Sequence, residues 1–154
     1  MTTPTDEPQL YPSPQTAAAV VVGVDLLARG RLERAYTRRG ERLLRRLFTP
    51  RELDEAHNQI SRLESRFAAK EACAKALGVG IGRIASWQEI EIVRLPSGKP
   101  ALSLRGGALA RARELGVSAF DLSMSDTSEL VMAVVVGVRN LTPQPPLPQG
   151  EGEH

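Results

Sequence analysis

The chain has few of the groups that make catalytic sites easy to see. It contains one cysteine in 154 residues, so no disulfide can close within it, in keeping with a reducing cytoplasm. That residue, Cys73, lies in an alanine-rich stretch with no histidine nearby, and reads as a small core hydrophobe rather than a nucleophile. The two histidines are His57, in a polar stretch expected to be helical, and His154, the last residue. Neither has a partner at metal-ligand spacing, and no zinc or Ser-His-Asp pattern is visible. Aromatic residues make up 4%. Only Tyr36 and Phe48 stand where they could stack on bases beside the basic region, so no nucleic-acid partner is expected. No apolar run approaches the ~20 residues that span a bilayer. The N-terminus lacks a basic segment followed by an apolar one. Neither a membrane partner nor secretion is therefore expected, and the location that fits is cytoplasmic.

What is present suffices for one domain. Hydrophobic residues are 42% of the chain, mostly Ala, Val and Leu, enough for an aliphatic core. Pro4, Pro8, Pro12 and Pro14 mark residues 1–17 as a disordered leader. Pro143, Pro145, Pro146 and Pro148 mark residues 140–154 as a disordered Pro-rich tail. The folded domain is expected over residues 18–139.

Within it, residues 19–24 form a valine-rich run read as a buried strand, with Asp25 just beyond its end. Residues 29–48 are helical by composition, broken at Gly40. Thr49-Pro50-Arg51-Glu52 has the form of a capping box with proline at the first helical position. Ser61-Arg62-Leu63-Glu64 repeats that pattern and opens a helix expected to reach Leu77 and stop at Gly78. Residues 89–95 and 101–104 form a hairpin around Ser97-Gly98-Lys99-Pro100. A helix over 108–115 follows. Residues 120–125 put Phe120, Leu122 and Met124 on one face, and the continuously apolar 130–138 is a central strand, reached through a tight connection over 126–129. The fold class is α+β, an antiparallel sheet with packed helices.

Charge is uneven. Between Arg29 and Arg46 there are eight arginines against two glutamates, a local excess of +6 in a chain whose net charge is +2. Arg31, Arg34, Arg38, Arg42 and Arg45 recur at helical spacing as a basic stripe, suited to an acidic protein, a nucleic acid or plain solvent. Asp25 is either a carboxylate facing a cleft or a helix cap. In Arg66-Phe67-Ala68-Ala69-Lys70-Glu71-Ala72-Cys73-Ala74-Lys75, residues Phe67, Glu71, Lys75 and Gly78 share a helical face. Glu71 and Lys75 also form an ordinary i, i+4 pair. The Gly78-Val79-Gly80-Ile81-Gly82 run follows a helix rather than preceding one, so it reads as an exit turn and not a phosphate loop.

Taken in order, Gly23-Val24-Asp25-Leu26, Arg66 to Ala72, Lys75-Ala76-Leu77-Gly78, Ile90-Glu91-Ile92, Gly98-Lys99-Pro100 and Leu122-Ser123-Met124-Ser125 resemble the small bacterial-type holo-acyl carrier protein synthases, which are 4′-phosphopantetheinyl transferases. The resemblance runs from about Val20 to Val138. It implies the 4′-phosphopantetheinyl transferase fold and an enzyme that moves phosphopantetheine from coenzyme A to a serine of an apo acyl carrier protein, as in fatty acid biosynthesis, releasing adenosine 3′,5′-bisphosphate. A module that binds carrier protein or coenzyme A without turnover is the alternative. The resemblance implies that Asp25 and Glu71 hold Mg²⁺. It implies that Lys75 acts near the phosphates, and that Arg66, Phe67, Gly78 and Pro100 lie near coenzyme A. Arg31, six residues past Asp25, matches a carrier-docking arginine, and a homotrimer with shared sites is implied. One position departs from the family, where Ser-x-Ser-His-Thr is usual: this chain has Asp126 in place of the histidine. Three roles are open for Asp126: a further metal ligand, a base for the serine proton, or a lost phosphate contact with weak activity.

Overall fold

A computed structural model describes residues 19–140. The expected leader over 1–17, and the tail from 141 onward, lie outside the described residues.

The chain opens with β1 (Val20–Ala28), then α1 (Arg31–Arg39), α2 (Glu41–Leu47), α3 (Pro50–Glu55) and the long α4 (Ile60–Leu77). A short 3₁₀ turn over Trp87–Glu89 leads into β2 (Ile90–Arg94), β3 (Pro100–Leu104), α5 (Gly106–Glu114), β4 (Val117–Asp126) and β5 (Leu130–Arg139). Two antiparallel sheets result. One has the order β1-β5-β4, with the apolar β5 in the centre as its composition demands, and the other is the β2-β3 hairpin.

The first strand is longer than expected. Residues 25–28 pair with Ala133 to Leu130 of β5, so Asp25 sits inside β1 rather than beyond its end. Strict alternation carries this extension: Val21, Gly23, Asp25 and Leu27 point inward while Val20, Val22, Val24 and Leu26 point outward.

α4 lies across the inner face. Its alanines make that approach possible, and so does Gly23. A Cβ at Gly23 would meet the backbone oxygen of Ala72 at 1.9 Å and the nitrogen of Ala76 at 2.6 Å. Helix and strand backbones therefore touch where Gly23 stands. Val21, Leu27, Ala68, Ala69, Ala72, Cys73, Val131, Ala133 and Val135 close the core around this contact.

The arginine-rich segment breaks at Gly40, whose φ of 66° ends α1 and starts α2. The basic stripe is thus divided between two helices instead of running along one. Leu32, Leu43, Leu44, Leu47, Phe48 and Leu63 form a second, smaller core beneath them. Thr49 and Glu52 make the capping box read from the sequence. The second box does not form. α4 starts at Ile60 after Gln59, and the Glu64 carboxylate accepts instead from the N–H groups of Gly30 at 2.7 Å and Leu32 at 3.3 Å. It caps the start of α1, which has no side-chain cap of its own. His57 lies in the turn after α3 with φ of 50°, not in a helix. α4 ends at Gly78 in the left-handed conformation, and the glycine run beyond it is an exit loop, as expected.

Candidate functional site

The site is assembled from the helix–strand contact outward. Two residues along β1 from Gly23, on the same inward face, comes Asp25, 8% exposed. Along α4, Glu71 and Lys75 flank Ala72 and Ala76, the residues that touch Gly23. The close approach therefore delivers the carboxylates of Asp25 and Glu71 and the ammonium of Lys75 to one place. Lys75 Nζ donates to Asp25 Oδ1 at 2.8 Å and to the Val24 carbonyl at 3.0 Å. Asp25 Oδ2 is buried and has no hydrogen-bond partner. Glu71 is half-buried. Burial pushes its carboxyl above the ordinary glutamate range, and the charge of Asp25 pushes it further, against the opposing pull of Lys75 and Arg31.

A buried carboxylate oxygen without a donor, next to a second carboxylate with raised proton affinity, is an arrangement short of positive charge. Two hard oxygen ligands of this kind suit a divalent cation that keeps most of its waters, and the residues fit Mg²⁺. Asp126 does not join them. It is on the same face of the sheet, but on β4, across β5 from β1 and one rung further along. Strand spacing and rise put its Cα roughly 12 Å from that of Asp25. Among the described residues no group of three or more His, Cys, Asp or Glu stands ready for a metal. Asp126 instead forms an ion pair with Arg29.

A second cluster surrounds that pair. A cleft of about 640 Å³ is lined by Arg29, Arg62, Arg66, Arg94, Pro100 and Asp126 among others. Arg66, 6% exposed, donates to Glu55 at 3.1 Å and to the Arg62 carbonyl at 3.4 Å, and its Nε is buried without a partner. Of the residues expected near coenzyme A, Arg66 and Pro100 come together here. Phe67 does not: it stacks on Trp87, ring centroids 5.0 Å apart. With Arg31, Arg38, Arg39 and Arg46 it lines a separate groove of about 400 Å³ over α1 and α2. Gly78 stands apart again, at the end of α4, where Arg111 Nε donates to the Leu77 carbonyl at 3.1 Å.

Cys73 is buried and its thiol is pushed up to about 12 by that burial, so it is not a nucleophile. The sequence did not reveal the partners of several residues that matter here. Arg29 and Glu64 act through partners 97 and 34 residues away, respectively. Lys70, fully buried beside Glu71, donates to Glu52 at 2.7 Å and to the Trp87 carbonyl at 2.9 Å. Glu52 also accepts from Ile92 N–H at 2.9 Å, which ties α3, α4 and β2 together.

The model of the 4′-phosphopantetheinyl transferase superfamily matches residues 21–135, which span every element of this site. The chain belongs to that superfamily. Among curated members, the holo-[acyl-carrier-protein] synthase of Methylobacterium sp. (strain 4-46) is 45% identical over 124 residues, 76% of this chain and 92% of that protein. That of Herpetosiphon aurantiacus is 41% identical over 125 residues, 77% of this chain and 98% of its own length. Solved superfamily structures superpose over the same span. The Neisseria meningitidis holo-[acyl-carrier-protein] synthase gives a TM-score of 0.71 at 35% identity, covering 77% of this chain and 98% of that one. The Helicobacter pylori synthase, solved in complex with coenzyme A, gives 0.68 at 30% identity, covering 75% and 98%.

Proposed function

We infer that the chain is a holo-[acyl carrier protein] synthase, transferring 4′-phosphopantetheine from coenzyme A to a serine of an apo acyl carrier protein. The observation that carries this is the meeting of Asp25, Glu71 and Lys75, the residues that match the synthase motif.

Asp25 and Glu71 would hold Mg²⁺, which when bound offsets negative charge on the phosphoryl oxygens. Lys75, fixed by Asp25 and the Val24 carbonyl, sets an ammonium beside the same carboxylates, where a coenzyme phosphate can meet it. The arginine-lined cleft holding Arg66 and Pro100 receives the phosphate-bearing part of coenzyme A. Arg31 and the groove beside Phe67 face the acidic carrier protein, an electrostatic match that favours fast docking. In the reaction the serine oxygen forms a bond to the phosphorus that carries the pantetheine arm. The bond from that phosphorus to the bridging oxygen breaks, and adenosine 3′,5′-bisphosphate leaves with the electron pair. The serine gives up its proton to a base. Positioning and charge do most of the work.

The assembly that suits this chain is a homotrimer. Val22, 60% exposed, and Leu26, 57% exposed, pair on the outer face with Val136 and Met132 of β5, a continuous apolar ladder on a strand pair that carries Asp25 on its other side. Further copies of the chain cover this face, and sites shared between subunits bring the arginine cleft of one copy to the Asp25–Glu71 centre of the next. The setting is the cytoplasm, with fatty acid biosynthesis as the pathway served. No helix among the described residues is long and apolar enough to cross a membrane.

The test is direct. The full chain is incubated with coenzyme A, Mg²⁺ and an apo carrier protein, and the carrier is weighed by mass spectrometry. A gain of one phosphopantetheine is expected. Complex formation without that gain would leave only a binding module.

A further inference from the structure

Asp126 stands where a donor to phosphate would be useful, yet an ionised carboxylate cannot donate and repels anions. The structure shows what surrounds it. Arg29, just past the end of β1, reaches across to the β4–β5 connection. Its backbone N–H donates to the Glu129 carbonyl at 2.8 Å, its Nε–H to the Thr127 carbonyl at 2.9 Å, and an Nη2–H to Asp126. The connection is itself fixed, since Thr127 Oγ1 accepts from the N–H groups of Glu129 and Leu130 at 3.2 and 3.0 Å. The guanidinium is therefore held at two points. Those contacts occupy two of its five N–H groups and leave three for the cleft.

The charge of the cleft points the same way. Four arginines line it, against Glu55 and Asp126. Glu55 is taken by Arg66 and Asp126 by Arg29, while among the described residues no acid pairs with Arg62 or Arg94. The lining keeps an excess of about two positive charges, which suits a phosphate dianion.

We propose that Asp126 and the Thr127 carbonyl together orient Arg29, so that Arg29 supplies the phosphate-binding donor that position 126 cannot. Asp126 is a positioning residue, and Arg29 is the ligand-contacting one. This rests on the transferase reading, because it takes the phosphate to be one of those on coenzyme A.

The experiment is titration calorimetry of the full-length chain with adenosine 3′,5′-bisphosphate in Mg²⁺ buffer, alongside KM values for coenzyme A and for carrier protein. A charge-assisted hydrogen bond to phosphate implies a loss of about tenfold or more in affinity for Arg29→Ala. Asp126→Asn removes the charge that orients Arg29, and is expected to weaken binding several-fold. In both variants the KM for coenzyme A rises and that for carrier protein stays within twofold. Arg29→Lys falls between wild type and Arg29→Ala, since an ammonium keeps the charge and loses the fork. An Asp126→Asn chain that binds equally well or more tightly overturns the proposal, because Asp126 would then be neutral or merely repulsive. Unchanged binding by a folded Arg29→Ala chain overturns it as well. Should Arg29→Ala fail to fold, the Asp126→Asn arm decides alone. A wild-type chain that does not bind the bisphosphate overturns both this proposal and the transferase reading.

Discussion

Asp25 gives one carboxylate oxygen to Lys75 and keeps the other buried and unbonded, with Glu71 next to it. In the cation-free protein this favours a proton on Glu71, whose folded value lies above the unfolded one. The stability contributed by that group is fully present below the ordinary glutamate range and is lost as pH rises through the raised value. A bound Mg²⁺ would reverse the preference. The rise in melting temperature on adding Mg²⁺ is therefore expected to vanish in acid and to grow as pH climbs through the raised Glu71 value. Thermal melts with and without Mg²⁺ across that range measure it, and an increment independent of pH would remove Glu71 as a ligand. Glu71→Gln keeps the shape and loses the charge. Its turnover is expected to collapse, with the fold retained and the Mg²⁺ increment lost, as steady-state kinetics and the same melts will report.

At the level of elements, the decisive contact is α4 on β1. Gly23→Ala would press a methyl group into the backbone of α4 at 1.9 Å. Overpacking of this kind costs about 1–3 kcal/mol, and here the atoms that must move belong to a helix backbone rather than a flexible side chain. A lower melting temperature is expected, together with a loss of turnover larger than the stability change alone would cause, because the displaced helix carries Glu71 and Lys75. On the proposed docking role of Arg31, α1 answers to a different substrate. Arg31→Glu is expected to raise the KM for carrier protein more than that for coenzyme A, and initial-rate kinetics with each substrate varied would show the opposite ranking if Arg31 did not serve docking. These elements were legible in the sequence where one local rule decided them: the Thr49 capping box, the Gly40 break, the Gly78 stop and the hairpin around Gly98. They were illegible where a distant partner decided. Ser61 to Glu64 has the spacing of a capping box, but Glu64 is drawn to Gly30 and Leu32. Asp25 looks like the residue after a strand until β5 pairs with it. Asp126, standing where the family usually has histidine, left three roles open, because nothing local to it names Arg29.

For the molecule as a whole, the outer face of the β1–β5 ladder sets the expected assembly. Val22→Glu places a charge in the middle of that face and touches nothing in the core, since Val22 points outward. The variant is expected to sediment as a smaller species than wild type and to lose turnover with it, while its helix and sheet content stay as they were. Sedimentation velocity and circular dichroism check this, and an unchanged sedimentation coefficient would show that the face is not an interface. The capping of α1 by Glu64 has a geometric corollary. Glu64 and Glu71 are seven residues apart on one helix, close to two full turns, so the carboxylate that caps the start of α1 and the one that faces Asp25 leave α4 on nearly the same side. One residue inserted between them would rotate one against the other by roughly 100°. Helical turns thus keep the anchor of α1 in phase with the Asp25–Glu71 pair, a gauge set by the length of α4 between them.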